Sequence, residues 1–216
     1  GTVPLTRQSA GQLAARIRAR EVSAREVVEA HIAAIELVNP RVNAVVVTRY
    51  DQARAEAAEA DRQLASGRTD LPPLLGVPCT IKEAFCLEGM PNTSGLVARK
   101  GAVAKSDAPT VARLRAAGAI PLGVTNTSEL CMWYESENRV YGCTNNAYDA
   151  RRTAGGSSGG EGAILGAGSV PFGLGADIGG SIRMPATFNG IFGHKPSPGL
   201  VPNTGQPPNA HGAAGR

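Results

Sequence analysis

Residues 76–83 read Gly76-Val77-Pro78-Cys79-Thr80-Ile81-Lys82-Glu83, an apolar run that ends on a charged pair. Its composition and length predict a buried strand that delivers a lysine near its C-terminal end. Downstream, Asp107 to Gly118 carries a helical pattern, and Ala119 to Val124 is a second apolar run of strand length. Strands alternating with helices in this way predict an α/β sheet.

Toward the N-terminus, residues 9–20 and 23–38 read as amphipathic helices, the second opened by Ser23 and Glu26 as a capping box. Asn39-Pro40 is expected to stop that helix. Asn43 to Thr48 is a short strand candidate, and the Ala/Glu-rich stretch Asp51 to Ser66 is a helix ended by Gly67. The first 70 or so residues thus form a helical scaffold, joined by the Pro-rich segment Leu71 to Leu75 to a core over about 71–202. Toward the C-terminus come the loop Gly155-Gly-Ser-Ser-Gly-Gly160, a helix from about Glu161 to Gly168, an apolar strand from Val170 to Leu174, and Gly175-Ala-Asp-Ile-Gly-Gly-Ser-Ile-Arg183. The tail from Pro196 to Arg216 has no periodicity and reads as loop.

Composition removes several function classes. A length of 216 residues, 42% apolar and 19% charged, suits a soluble globular chain with a sizeable core. The net charge of +4 is scattered among acidic residues, and no basic-aromatic ladder accompanies it, so nucleic acid is not an expected partner. Cys79, Cys86, Cys131 and Cys143 form no C-x-x-C pair and lie far in sequence from His31, His194 and His211, so no metal site is expected. No apolar run is long enough to span a bilayer, and no signal peptide opens the chain, which predicts a cytoplasmic protein with reduced thiols. The first residue is Gly1, which leaves room for an upstream segment that was removed.

Glycine concentrates the chemistry in the second half. Paired glycines before Ser181 let successive N–H groups point at one spot beside its hydroxyl, as an oxyanion hole does; an ordinary glycine turn is the alternative. Gly155 to Gly160 precedes a helix as a phosphate loop would, yet no G-K-[ST] follows and Glu161 brings the wrong charge. A strained functional loop is favoured over a linker, and Ser157 and Ser158 become candidates for moving protons. No histidine has a spacing that suggests a triad with Ser181, and G-x-S-x-G is absent. A lysine whose pKa is lowered by burial is then the economical base, and Lys82 is the candidate, with a surface lysine at a strand end as the alternative.

Lys82 after a strand, the G-G-S-S-G-G loop and the D-x-G-G-S-I-R segment, in this order, resemble the amidase signature family. The resemblance runs from about Leu13 to Pro202. It implies a mixed β-sheet core flanked by helices, no cofactor, and cleavage of small or lipophilic amides through an acyl-enzyme. It also implies roles: Ser181 is the nucleophile, Ser157 the bridging serine after a cis peptide at Gly156, and Lys82 the base. The backbone amides of Ile178, Gly179, Gly180 and Ser181 match the oxyanion hole, and Asp177 with Arg183 match structural positions that form an ion pair. Lys82-Glu-Ala-Phe, Gly89-Met-Pro-Asn, Ser128 to Glu135 and Phe192-Gly-His-Lys-Pro-Ser are most similar to the fatty-acid amide hydrolase-like members. In those members Met132, Trp133 and Tyr134 would help form the acyl side of the pocket, with core packing as the alternative.

Family members are considerably longer, so the chain is expected to be an N-terminal portion, a single amidase domain without its later strands and helices. Two other readings follow: a glutamine amidase like the amidotransferase A subunit that works on mischarged tRNA, and an inactive fragment serving only as a binding module. A small-molecule amide is the expected partner, and a homodimer is one assembly open to the chain.

Overall fold

The computed structural model describes residues 3–207. Helices α1 (Ala10–Arg18) and α2 (Ala24–Val42) both start on capping boxes, Ser9 with Gln12 and Ser23 with Glu26, each satisfying two otherwise orphaned donors. Strand β1 (Val45–Thr48) follows, then α3 (Tyr50–Ala65), β2 (Pro78–Lys82), α4 (Pro109–Ala116) and β3 (Ile120–Thr125). A two-residue hairpin, β4 (Glu137–Asn138) and β5 (Gly142–Cys143), precedes α5 (Gly159–Gly166), β6 (Gly173–Leu174) and α6 (Arg183–Asn189).

The strands order as β1-β3-β2-β6, with β1 antiparallel to β3, and β2 parallel to both β3 and β6. The sheet is therefore mixed and flanked by helices, as expected. β1, from the scaffold half of the sequence, shares this sheet with the core strands. Every residue of β2 is buried, and its alternation divides the work: Cys79 and Ile81 enter one apolar cluster with Phe85, Leu87 and Val111. Thr80 and Lys82 face the other way. A second cluster, built from α1, α2 and α3 through Leu13, Ile17, Val27, Ile32, Ile35 and Leu64, covers Ile120 and Leu122 of β3.

Three expectations are corrected. Helix α2 does not stop at Pro40 but runs through it to Val42, and Asn43 caps it in the left-handed region at φ 49°. A proline this close to a helix end removes one hydrogen bond only. Asn39 meanwhile ties the exit, its side chain accepting from the N–H groups of Ala44 and Val45 and donating to the Val45 carbonyl. The strand expected over Val170–Leu174 pairs only at Gly173 and Leu174, because Pro171 has no N–H to contribute. Helix α5 starts at Gly159 rather than Glu161, since Ser136 Oγ accepts the Gly159 N–H at 2.7 Å and the Asn126 carbonyl accepts that of Gly160. Among the described residues no helix is long and apolar enough to cross a membrane.

Candidate active site

Lys82 ends β2 in a fully buried position, where its Nζ lies 2.6 Å from Ser157 Oγ and 3.0 Å from Ser158 Oγ. Burial lowers its pKa; the Cys131 thiol, Glu161 and Asp177 push in the opposite direction without reversing the shift. A lysine so held supplies neutral amine in a range where an exposed one would be charged.

The glycine loop brings the serines to that amine. The Gly156–Ser157 peptide is cis. A side chain at Gly156 would stand 2.7 Å from the Trp133 carbonyl and 2.8 Å from the Glu135 nitrogen, so only glycine lets this loop lie against the 133–135 segment. The Ser157 carbonyl accepts from Ser136 Oγ at 3.0 Å, which ties the loop a second time. Ser158, ranked equally with Ser157 by its local sequence, has a distinct position. Its hydroxyl donates to the Ala176 carbonyl and accepts the Ala176 N–H, both at 3.1 Å, and its own N–H donates to the Ser181 carbonyl at 3.1 Å. It thereby pins the Ser181 segment to the lysine.

Ser181 is buried in a turn built around Asp177. That carboxylate accepts the N–H groups of Gly180, Ile182 and Arg183 at 2.8, 3.1 and 3.2 Å, and pairs with the Arg183 guanidinium at 2.9 Å. Burial alone would raise the Asp177 pKa; the guanidinium and the three N–H donors outweigh it and hold the carboxyl well below its usual range. The expected ion pair is present and carries more than the ends of the turn. Of the four amides expected to form an oxyanion hole, that of Gly180 donates to Asp177 here. Those of Ile178, Gly179 and Ser181 have no partner among the described residues. Between the Ser157 and Ser181 hydroxyls there is no hydrogen bond here, a link that often closes only with substrate in place.

Met132, Trp133 and Tyr134 are not core. They are 74%, 65% and 50% exposed, and the Trp133 and Tyr134 rings lie 6.2 Å apart. Tyr134 Oη faces Gly179, which brings this segment to the Ser181 turn at that one point. A cavity of about 970 Å³ adjoins the turn, lined by Phe85, Phe172, Leu174, Ile178, Ile182 and Phe192, with Ser158 at its wall; Met132, Trp133 and Tyr134 are not among its lining residues. His31 is buried on α2 with Nδ1 on the Val27 carbonyl, His194 lines the cavity, and His211 lies outside the described residues.

Local sequence set Glu161 aside as a charge unsuited to a phosphate loop. In the structure it is buried and accepts hydrogen bonds from Thr80 Oγ1 at 2.7 Å and Thr125 Oγ1 at 2.8 Å. Burial pushes its pKa up to about 7, against those two hydroxyls and Lys82. Its partners are 81 and 36 residues away, beyond any local pattern.

Against known proteins, residues 26–214 match the family model Amidase. The chain is 58% identical to fatty-acid amide hydrolase 2-A of Danio rerio and 57% identical to fatty-acid amide hydrolase 2 of Homo sapiens, over 98% of its own length and 41% of theirs. It spans about two fifths of the length of these curated relatives. A solved bacterial aryl acylamidase of the amidase signature family superposes with a TM-score of 0.88 at 36% identity, covering 93% of this chain and 41% of that one. With the match over residues 26–214, this chain belongs to the amidase family, whose signature the lysine, the glycine loop and the serine turn carry.

Proposed function

We propose that this chain carries the acyl-transfer centre of an amide hydrolase, with Ser181 as nucleophile, Ser157 as proton relay and Lys82 as base. The observation that carries the reading is the 2.6 Å contact between Lys82 Nζ and Ser157 Oγ at a buried lysine whose pKa is lowered. Ser181 Oγ attacks the amide carbon as its proton passes to Ser157 and the Ser157 proton passes to Lys82. The negative charge on the carbonyl oxygen is met by the N–H groups of Ile178, Gly179 and Ser181, each worth about 3 kcal/mol of barrier lowering when aimed at the oxyanion. The proton then returns by the same path to the leaving amine, which departs and leaves the acyl group on Ser181. Water then attacks the acyl carbon as its proton passes through Ser157 to Lys82; the bond from that carbon to Ser181 Oγ breaks, the carboxylic acid leaves and the proton returns to Ser181 Oγ.

The substrate class we assign is a lipophilic carboxylic amide. The apolar lining of the cavity beside Ser158 supports this, as does the similarity to two fatty-acid amide hydrolases. Met132, Trp133 and Tyr134 form the exposed wall against which an acyl chain would lie. The four free cysteines support a reducing, cytoplasmic setting. Release of free amine from a long-chain acyl anilide tests the reading, with amine expected from the wild-type chain and none above background from Ser181→Ala; equal release from both overturns it.

A further inference from the structure

Glu161 occupies a slot that three neighbouring strands leave open for it. Thr125 on β3 and Thr80 on β2 each donate a hydroxyl to its carboxylate, and Gly173 on β6, the register partner of Thr80, contributes no side chain. A Cβ at Gly173 would overlap Glu161 Oε2, so the absence of a side chain there is what admits the carboxylate. Both donors are neutral, and among the described residues Glu161 enters no ion pair. Lys82 lies two residues beyond Thr80 on the same face of β2, a rise of about 7 Å, and is the register partner of Thr125. The lysine and the carboxylate therefore share one buried interior, in which the Cys131 side chain also acts on Lys82 and Glu161 is the stronger of the two carboxylates that do.

We infer that Glu161 is a positioning residue acting through Lys82: it is the buried countercharge of the ammonium that forms when Ser181 gives up its proton. This rests on the acyl-transfer reading above and deepens it. As Ser181 O–H bonds to the substrate carbon, one proton ends on Lys82 Nζ, and the new cation lies too deep for water to solvate. A carboxylate that hydroxyls orient but do not neutralise favours that cation, and therefore the forward proton transfer. The other titratable groups acting on Lys82 are Cys131 after β3 and Asp177 in the Ser181 turn, the latter already engaged by Arg183; Cys79 lies on the opposite face of β2, where the Glu161 charge reaches it through the strand. The elevated pKa of Glu161 adds that the countercharge is itself lost in mildly acidic solution.

The test is the titration of Lys82, followed by NMR of labelled lysine side chains in the 216-residue chain and assigned with Lys82→Arg. Glu161→Gln removes the negative charge at constant shape, and the Lys82 transition should move down by about one unit. The pH profile of Ser181 labelling by a fluorophosphonate should move with it. An unchanged Lys82 transition in a folded Glu161→Gln chain overturns the inference. Should that variant not fold, Thr125→Val, which is isosteric and removes one donor to the carboxylate, should move the transition in the same direction by less, and no movement there overturns it equally. A wild-type chain that takes up no fluorophosphonate would sink the acyl-transfer reading while the lysine titration still decides the role of Glu161.

Discussion

Lys82, Ser157 and Glu161 are almost wholly buried, whereas Met132, Trp133, Ile178 and Phe192, around the same site, stand largely in solvent. The buried group sits on regular strands and on a glycine loop whose backbone is packed on both sides. The exposed group sits on turns and has few neighbours to hold it. The proposed proton path thus runs through the part of the molecule where the dielectric is low and geometry is enforced, and the proposed acyl-binding side is exposed. On the proposed reading, reaction chemistry and substrate choice are separable, and substitutions in the two regions should fail in different ways.

The largest expected effect is at the base. Lys82→Ala should slow fluorophosphonate labelling of Ser181 by about 10²- to 10⁴-fold, and Ser157→Ala should fall in the same range, because either one interrupts the same proton path. Stopped-flow or gel-based labelling rates check this, and a loss under threefold in either variant would remove that residue from the path.

Next comes the brace of the serine turn. Asp177→Ala leaves the N–H groups of Gly180, Ile182 and Arg183 without their acceptor and frees the turn. A loss of about 2–4 kcal/mol of stability is expected by urea unfolding, together with a labelling rate at least about tenfold lower. Arg183 is more than half exposed, so Arg183→Ala should cost under about 1 kcal/mol. Equal losses from the two would shift the weight from the three N–H groups to the ion pair.

The pH dependence of stability belongs to the buried region. Glu161 has its folded pKa raised to about 7 from an unfolded value of 4.5. The folded state therefore binds the extra proton, and this contribution to stability is full below pH 4.5 and lost as pH rises through about 7. In Glu161→Gln that part of the slope should vanish from unfolding curves measured between pH 4 and 8; a slope identical to wild type would contradict the burial of a titrating carboxyl there.

The smallest effect is expected on the exposed wall. Trp133→Ala should change unfolding free energy by no more than about 0.5 kcal/mol, yet lower the preference for long over short acyl chains several-fold in amine-release assays. A large stability loss would mean that the indole packs more than its exposure suggests.

The contrast also explains what could be read from sequence. Lys82 and the two serines carried weak local signals, each with an ordinary alternative, and became a set only through their joint order in a family pattern. Glycine doublets marked the turn at Ser181, but the hydrogen bond from the Gly180 amide to the Asp177 carboxylate depends on the folded turn and has no local signal. Ser157 and Ser158 are equivalent by composition; only the fold distinguishes the one at 2.6 Å from the one that ties Ala176 and Ser181. Glu161 was illegible for a different reason: its meaning comes from hydroxyls on two strands and a bare glycine on a third. Helix α2 starts at the capping box read from Ser23 and Glu26, while Pro40 misled because a proline near a helix end is tolerated when a residue such as Asn39 secures the exit.

The most direct test of the centre is mass spectrometry of the folded 216-residue chain after fluorophosphonate treatment across pH 5 to 10. The account predicts a single adduct on Ser181, absent in Ser181→Ala, whose rate of formation rises with a midpoint below the ordinary lysine pKa of about 10.4. An adduct on another serine, or a rate that follows pH only in the range of an exposed lysine, would contradict it.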